Sequence, residues 1–552
     1  MLPFGRTYEE ITAAFRWRIP PAYNIAVDTC EKWATTEPDR TALIHVRADG
    51  AIDRWSHGRL AAAAHRLSNL LVARGVKRGD RVAILLPQSP ETAITHIAVY
   101  AMAAVALPLA DLFGVEALSH RLGDAGARVV VTNRAGAAKI AEIRAGLPTL
   151  ELVLTVDGVF DGTEDLHHLL AAASDRFEPV ATGPDDPALM IYTSGTTGPA
   201  KGALHGHRVL LGHLPGVQFA HEFLPRPDDL IWTPADWAWA GGLLNILLPS
   251  LSLGVPVVAA RFERFEPEAV WRLIAEQGIR NAFIPPTALK LLRGAGAVPD
   301  RTALKLRTIG SGGESLGRDT YDWARAELGI TINEFYGQTE CNLVVGACAA
   351  AGVTRAGAIG RPTPGHRVAV IDAAGNPMPA GETGQIAVHR PDPVMFLGYW
   401  NKPEATAAKF VDDWMITGDQ GMTDEDGYIF FVGRDDDLIT SAGYRIGPSE
   451  IEDCIVGHPA VALAAVVGKP DPVRTEIIKA FVKVRPGVTP DAALAEAIRG
   501  HVRNRLAAHE YPREIEFVAE IPLTTTGKVI RRFFREQARD EAAAEARRAP
   551  KP

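Results

Sequence analysis

The 552-residue chain is 47% hydrophobic and 22% charged, with 58 basic against 66 acidic residues and a formal net charge of −8. That length exceeds the size at which one core stops growing, so several subdomains are expected. The interspersed charges lack the concentrated basic face of a nucleic-acid binder, and Cys30, Cys341, Cys348 and Cys454 form no CxxC pair, so they read as buried thiols of a reducing compartment.

The N-terminus carries acidic residues and prolines where a signal peptide needs an apolar core. The most apolar stretches, 94–109 and 243–260, are broken by His96, Pro108, Pro249, Gly254 and Pro256. Neither supplies the roughly 20 unbroken apolar residues of a spanning helix, so a cytoplasmic protein without membrane partners is expected. Leu60, Ala63, Ala64, Leu67, Leu70 and Leu71 follow helical spacing over 58–74, and strand-like runs occupy 81–86, 128–132 and 152–156. This alternation predicts an α/β fold with layered subdomains around mostly parallel sheet.

From about residue 357 to 432 short strands with Gly and Pro turns predict a β-rich subdomain. The triplet Asp435-Asp436-Asp437 marks a boundary between an N-terminal domain, 1–434, and a small α+β C-terminal domain, 435–552. In the latter, 461–467 and 477–484 read as strands and 492–506 as a helix, while 542–552 looks unstructured.

The run Tyr192-Thr193-Ser194-Gly195-Thr196-Thr197-Gly198-Pro199-Ala200-Lys201-Gly202 follows a strand-like segment. Interleaved hydroxyls and glycines let backbone N–H groups converge on phosphate oxygens, and Lys201 adds positive charge. It is not a Walker A loop; taken alone, such a stretch is a turn. Five further segments follow in order: Gly312-Gly313-Glu314, Glu334-Phe335-Tyr336-Gly337-Gln338-Thr339-Glu340, Thr417-Gly418-Asp419, Gly433-Arg434-Asp435-Asp436-Asp437 with Ser441-Ala442-Gly443-Tyr444-Arg445, and Pro522-Leu523-Thr524-Thr525-Thr526-Gly527-Lys528.

Together these resemble the adenylate-forming superfamily of acyl-CoA synthetases, luciferases and peptide-synthetase adenylation domains, from roughly residue 25 to 535. The resemblance implies an ATP-dependent acyl-CoA synthetase working through an acyl-adenylate, with ATP and CoA as co-substrates and Mg²⁺ as cofactor. It implies ATP contacts from Thr193, Ser194, Gly195, Thr196, Thr197, Gly198, Lys201, Gly313, Glu314, Glu334, Phe335, Tyr336, Gly337, Gln338, Thr339, Asp419, Arg434, Arg445 and Lys528. Lys528, Glu340 and Thr193 would be catalytic: Lys528 neutralises charge between carboxylate and α-phosphate, and Glu340 holds Mg²⁺.

The same resemblance makes the C-terminal domain mobile, turning about a hinge at 435–437. Asp436 is the pivot, with Asp435 not excluded. Ser441, Ala442, Gly443 and Tyr444 would then line the CoA tunnel. Val456, His458 and Val461 stand where some relatives hold a second Mg²⁺, and Arg531 and Arg532 are candidates for the CoA phosphates. Lys528 is also a possible target of regulatory acylation, and the molecule is expected to be a monomer or homodimer.

Acetyl-CoA synthetases read Trp-Trp-Gln-Thr-Glu across the adenine segment, and here the second Trp is Gly337. Ala240, Gly241 and Gly312 stand where acetate enzymes carry Val or Thr, and Trp237 or Trp239 could wall the pocket. These small residues predict room for an acid of about four to eight carbons, each added methylene contributing about 0.8 kcal/mol. An aromatic acid, or a carrier-protein thiol as acceptor, remains open; an inactive binding homologue is disfavoured by the presence of Lys528, Glu340 and Asp419. Two departures stand out: Thr524-Thr525-Thr526 before Gly527-Lys528, and Glu314-Ser315 in place of Glu-Pro.

Overall fold

The computed structural model describes residues 1–193, 199–262, 264–296, 298–299, 301–435, 437–441, 444–472, 474–506, 510–524 and 529–548. Its centre is two large sheets. One has eight strands, with Arg81–Leu85 flanked in parallel by Val105–Pro108 and Val129–Thr132, and with the antiparallel pair Pro187–Thr193 and Lys201–Gly206 toward one edge. The other has nine, including the parallel run Asn281–Phe283, Thr308–Gly312 and Ile332–Gln338, followed by antiparallel Cys341–Gly346. Val129–Thr132 and Leu152–Thr155 are buried along their whole length, as strands covered on both faces must be.

Helices cover these sheets. His57–Ala73 buries the face of Leu60, Ala64, Leu67 and Leu71, and the Ser56 hydroxyl accepts from Arg59 N–H at its start. The apolar stretch near residue 94 is the buried helix Pro90–Ala101, capped by Ser89 with proline in its first turn. Among the described residues no helix is long and apolar enough to cross a membrane.

The β-rich region forms a separate sheet in which Trp414–Thr423 pairs with Thr383–His389 on one side and Ile429–Arg434 on the other. Beyond residue 437 lies a fourth sheet, built on the antiparallel pair Val461–Asp471 and Thr475–Val484, with helix Ala492–Arg505 against it. The expectation for the tail is corrected here. Helix Arg531–Arg548 runs through most of it and packs on this sheet. Its carboxylates meet two buried lysines: Glu545 lies 2.8 Å from Lys469, and Glu541 pairs with Lys479. Those amines need acidic partners once out of water, which fixes the helix.

The last sheet touches the large sheets through Asp453 of helix Pro448–Val456. Lys290 Nζ is 2.7 Å from Asp453 Oδ1, and the Ser315 hydroxyl donates to Asp453 Oδ2 at 2.6 Å. Ser315 therefore has a use that a proline could not serve.

Candidate active site

Strand pairing assembles the site. Thr193 closes one strand opposite Lys201, which opens the next. The Lys201 ammonium lies 5.2 Å from the Tyr399 ring centroid, and the Tyr399 hydroxyl donates to Glu340. Glu340 sits in the tight turn between Ile332–Gln338 and Cys341–Gly346 and is buried. Burial, then the Glu340 charge, pushes the Tyr399 phenol far up, so it stays a donor.

On the other side of that strand end, the Tyr336 hydroxyl donates to Asp419 Oδ2 at 2.6 Å, and Asp419 faces Arg434 across the strand pair. Gln338 Nε2 donates to Thr417 O at 3.0 Å. Gly313 has φ +97, a region that favours glycine, and the neighbouring Glu314 accepts from the Thr287 hydroxyl at 2.7 Å. Thr339 is half-buried between Gln338 and Glu340. Thus Thr193, Lys201, Glu340, Tyr336, Gln338, Asp419 and Arg434 converge, although the sequence separates them by more than two hundred positions.

Glu334, 8% exposed, accepts from Leu316 N–H. Burial pushes its carboxyl up to about 8 from an ordinary 4.5; Asp453 adds to the rise, while the Leu316 hydrogen bond and Lys290 oppose it. The folded state therefore keeps a proton that the unfolded chain releases. The stability this proton supplies is complete below the unfolded value and is lost as pH rises through the folded one. Glu334→Gln, which retains the acceptor, is expected to leave stability near wild type at pH 4 and to raise it at pH 9, by about 5 kcal/mol. Denaturant unfolding across that range, without nucleotide, checks it; an equal change at both ends would refute the assignment.

The candidate acyl wall divides. Ala240 and Gly241 begin a short helical turn, and a Cβ on Gly241 would lie 2.9 Å from the Phe283 ring. A Cβ on Gly312 would lie 2.7 Å from the Phe335 ring and would collide with Phe335 O. A Cβ on Gly337 would collide with Leu343 N and lie 2.6 Å from Asn342 Cα. Its missing side chain lets the two strands approach at a register shift. Trp237 is fully buried in the main core, whereas Trp239 is half-exposed and edge-on to Phe113 at 5.6 Å.

Four residues escaped the sequence reading. Tyr399 and Lys409 reach the site only through folding. Phe283, tilted against Phe335 with ring centroids 5.3 Å apart, backs the Gly241 position. Asp236 accepts from Ala238 N–H, and burial pushes it up to about 7; its place in Pro234-Ala235-Asp236-Trp237 was the available signal.

In the last sheet, Ser441 closes the strand Ile439–Ser441 opposite Tyr444, and Arg445 lies in Tyr444–Ile446. Ser194, Gly195, Thr196, Thr197, Gly198, Asp436, Ala442, Gly443 and Lys528 lie outside the described residues. Val456 and Val461 are buried; His458 Nδ1 accepts from Ala460 N–H, and its ring meets His501 edge-on at 5.4 Å. Arg531 is a second correction. It is bound to Glu452, to Asp437 at 3.1 Å and to Ser449 at 3.3 Å, which occupies the guanidinium within the fold. Arg532 is exposed beside Glu536. Cys341 is buried with its thiol pushed up, as packing requires.

A family model described as AMP-binding enzyme matches residues 30–400, and one described as AMP-binding enzyme C-terminal domain matches 450–528. The chain is 33% identical over 550 residues to an acetyl-coenzyme A synthetase of Bacillus subtilis, covering 96% of this chain and 95% of that one. It is 31% identical over 547 residues to the human mitochondrial acyl-coenzyme A synthetase ACSM3, covering 96% and 92%. A crystal structure of the anthranilate CoA ligase AuaEII with anthranoyl-AMP superposes with a TM-score of 0.87 at 27% identity, covering 95% of this chain and 99% of that one.

Proposed function

Since the chain belongs to the AMP-binding enzyme family, as an AMP-forming acid–thiol ligase of the acyl-CoA synthetase kind, we propose that it activates a carboxylic acid of about four to eight carbons, each buried methylene adding about 0.8 kcal/mol. The carboxylate attacks the α-phosphorus of ATP, pyrophosphate leaves, and CoA then takes the acyl group from the adenylate. One observation carries the reading: Glu340, Tyr336, Gln338 and Asp419 meet at one strand end, with Thr193 and Lys201 across from them.

Mg²⁺ is held in such sites by one or two carboxylates together with substrate phosphates. Glu340, a buried carboxylate steadied by one phenol, suits that role; bound there, the ion would screen the phosphate charge. Asp419 and Arg434 hold the ribose, and Lys528 neutralises charge at the α-phosphate before the C-terminal part turns about 435–437 and brings 441–444 to the CoA channel.

The chain-length reading rests on the small residues Ala240, Gly241 and Gly337, with the Phe283 ring next to the Gly241 position. An aromatic acid is the second reading, supported by the similarity to an anthranilate CoA ligase and by the Phe283–Phe335 pair, against which a flat ring stacks. Pyrophosphate release with ATP, Mg²⁺ and acids of two to ten carbons plus benzoate, each with and without CoA, tests both. A CoA-dependent peak at intermediate length is expected. A peak on acetate would overturn the pocket, and a benzoate optimum would select the second reading.

A further inference from the structure

Lys409 is half-buried just ahead of the short strand Phe410–Val411, and its backbone is tied to Thr406 and Ile416. Its ammonium donates to Gln338 Oε1 at 3.1 Å and to Thr417 O at 3.3 Å. Gln338 in turn donates to the same Thr417 oxygen. Among the described residues both acceptors of this ammonium are neutral. The charges it senses are Glu340 and Asp419, which favour it, and Arg434 and Lys201, which oppose it, while burial makes the charged form costlier. A partly buried cation among neutral acceptors calls for an anion.

The connectivity of a nucleotide says which one. Ribose is joined through its 5′ oxygen to the α-phosphate, and the metal sits on the phosphates. A cation within electrostatic reach of both Asp419 and Glu340 therefore stands level with the α-phosphate. We propose that Lys409 binds the nucleotide α-phosphate, a role that rests on the ATP-dependent reading above. It belongs to the segment leading into Trp414–Thr423, which carries Asp419, so it stays with the ribose site whatever the 522–528 loop does. In the second half-reaction the thiol sulfur bonds the acyl carbon and the bond from that carbon to the phosphate oxygen breaks. The electron pair remains on that oxygen, and the thiol proton passes to solvent. Lys409 neutralises the charge the phosphate gains, whereas Lys528 serves the first half-reaction.

Calorimetric binding of AMP and of adenosine to wild type, Lys409→Met and Lys409→Arg separates contact from positioning. Lys409→Met is expected to weaken AMP by roughly 30-fold, about 2 kcal/mol, as for a lost charge-assisted hydrogen bond, with adenosine unchanged; Lys409→Arg should regain much of it. The same variant should slow acyl-CoA formation from supplied acyl-adenylate. Equal losses for AMP and adenosine would mean that Lys409 only orients Gln338, and unchanged AMP affinity would remove it from the site; either overturns the proposal. Should Lys409→Met melt early, Lys409→Gln, which can still donate to Thr417 O, carries the same comparison. Wild type binding neither AMP nor ATP would instead overturn the nucleotide reading itself.

Discussion

Glu340→Gln is expected to raise the Mg²⁺ concentration needed for half-maximal adenylate formation by about 100-fold, with little change in folding. The side chain is buried, and its one hydrogen-bond partner named above, the Tyr399 hydroxyl, can donate to an amide oxygen as well as to a carboxylate. Packing is kept and charge is lost. A neutral amide is a poor ligand for a hard cation, so the deficit should shrink at high Mg²⁺. Tyr399→Phe removes only the hydroxyl that orients Glu340 and should cost less, about 10-fold. Pyrophosphate exchange at a series of Mg²⁺ concentrations distinguishes these results. A Glu340→Gln defect that is independent of Mg²⁺ would assign the carboxylate another role.

Lys528→Ala should slow adenylate formation by about 10²–10³-fold, equivalent to about 3–4 kcal/mol of transition-state stabilisation. Carboxylate and triphosphate are both anions, and the lost ammonium is the one expected between them. Thioester formation from supplied acyl-adenylate should survive, because on the proposed hinge motion that step would proceed after the loop has left. Measuring the two half-reactions separately is therefore decisive. Parallel loss in both would mean that Lys528 supports the fold or both geometries; retention of both would move the first-step cation elsewhere, with Lys201 and Lys409 next in line.

What was readable in advance follows from how each feature is encoded. The strands near 81, 129 and 152 and the helix from 57 announce themselves by local pattern, and the phosphate loop and the Glu334–Glu340 segment are contiguous runs whose chemistry demands particular residues. Tyr399 and Lys409 have no such run. Tyr399 is brought to the strand end by pairing with the distant Ala203, and Lys409 by a short hairpin against Met415 that sets it beside Gln338. Gly337 was ambiguous in a different way: glycine marks either vacant space or close backbone approach, and the close approach shows only in the hairpin's register shift. The C-terminal helix looked like a solvated Ala/Glu/Arg tail because the partners of Glu541 and Glu545 lie on strands more than sixty residues earlier.

Asp437 accepts from Arg531 and Arg535, and Arg531 also grips Glu452. The residue beside the expected pivot is thereby clamped to the segment just after the 522–528 loop. Parting them would strand a guanidinium that is largely out of water. A crank without backlash behaves this way: turning the pivot turns the loop through the same angle. On the proposed hinge, occupancy of the two geometries would then reduce to one equilibrium constant, with no population in which the pivot has moved and the loop lags behind.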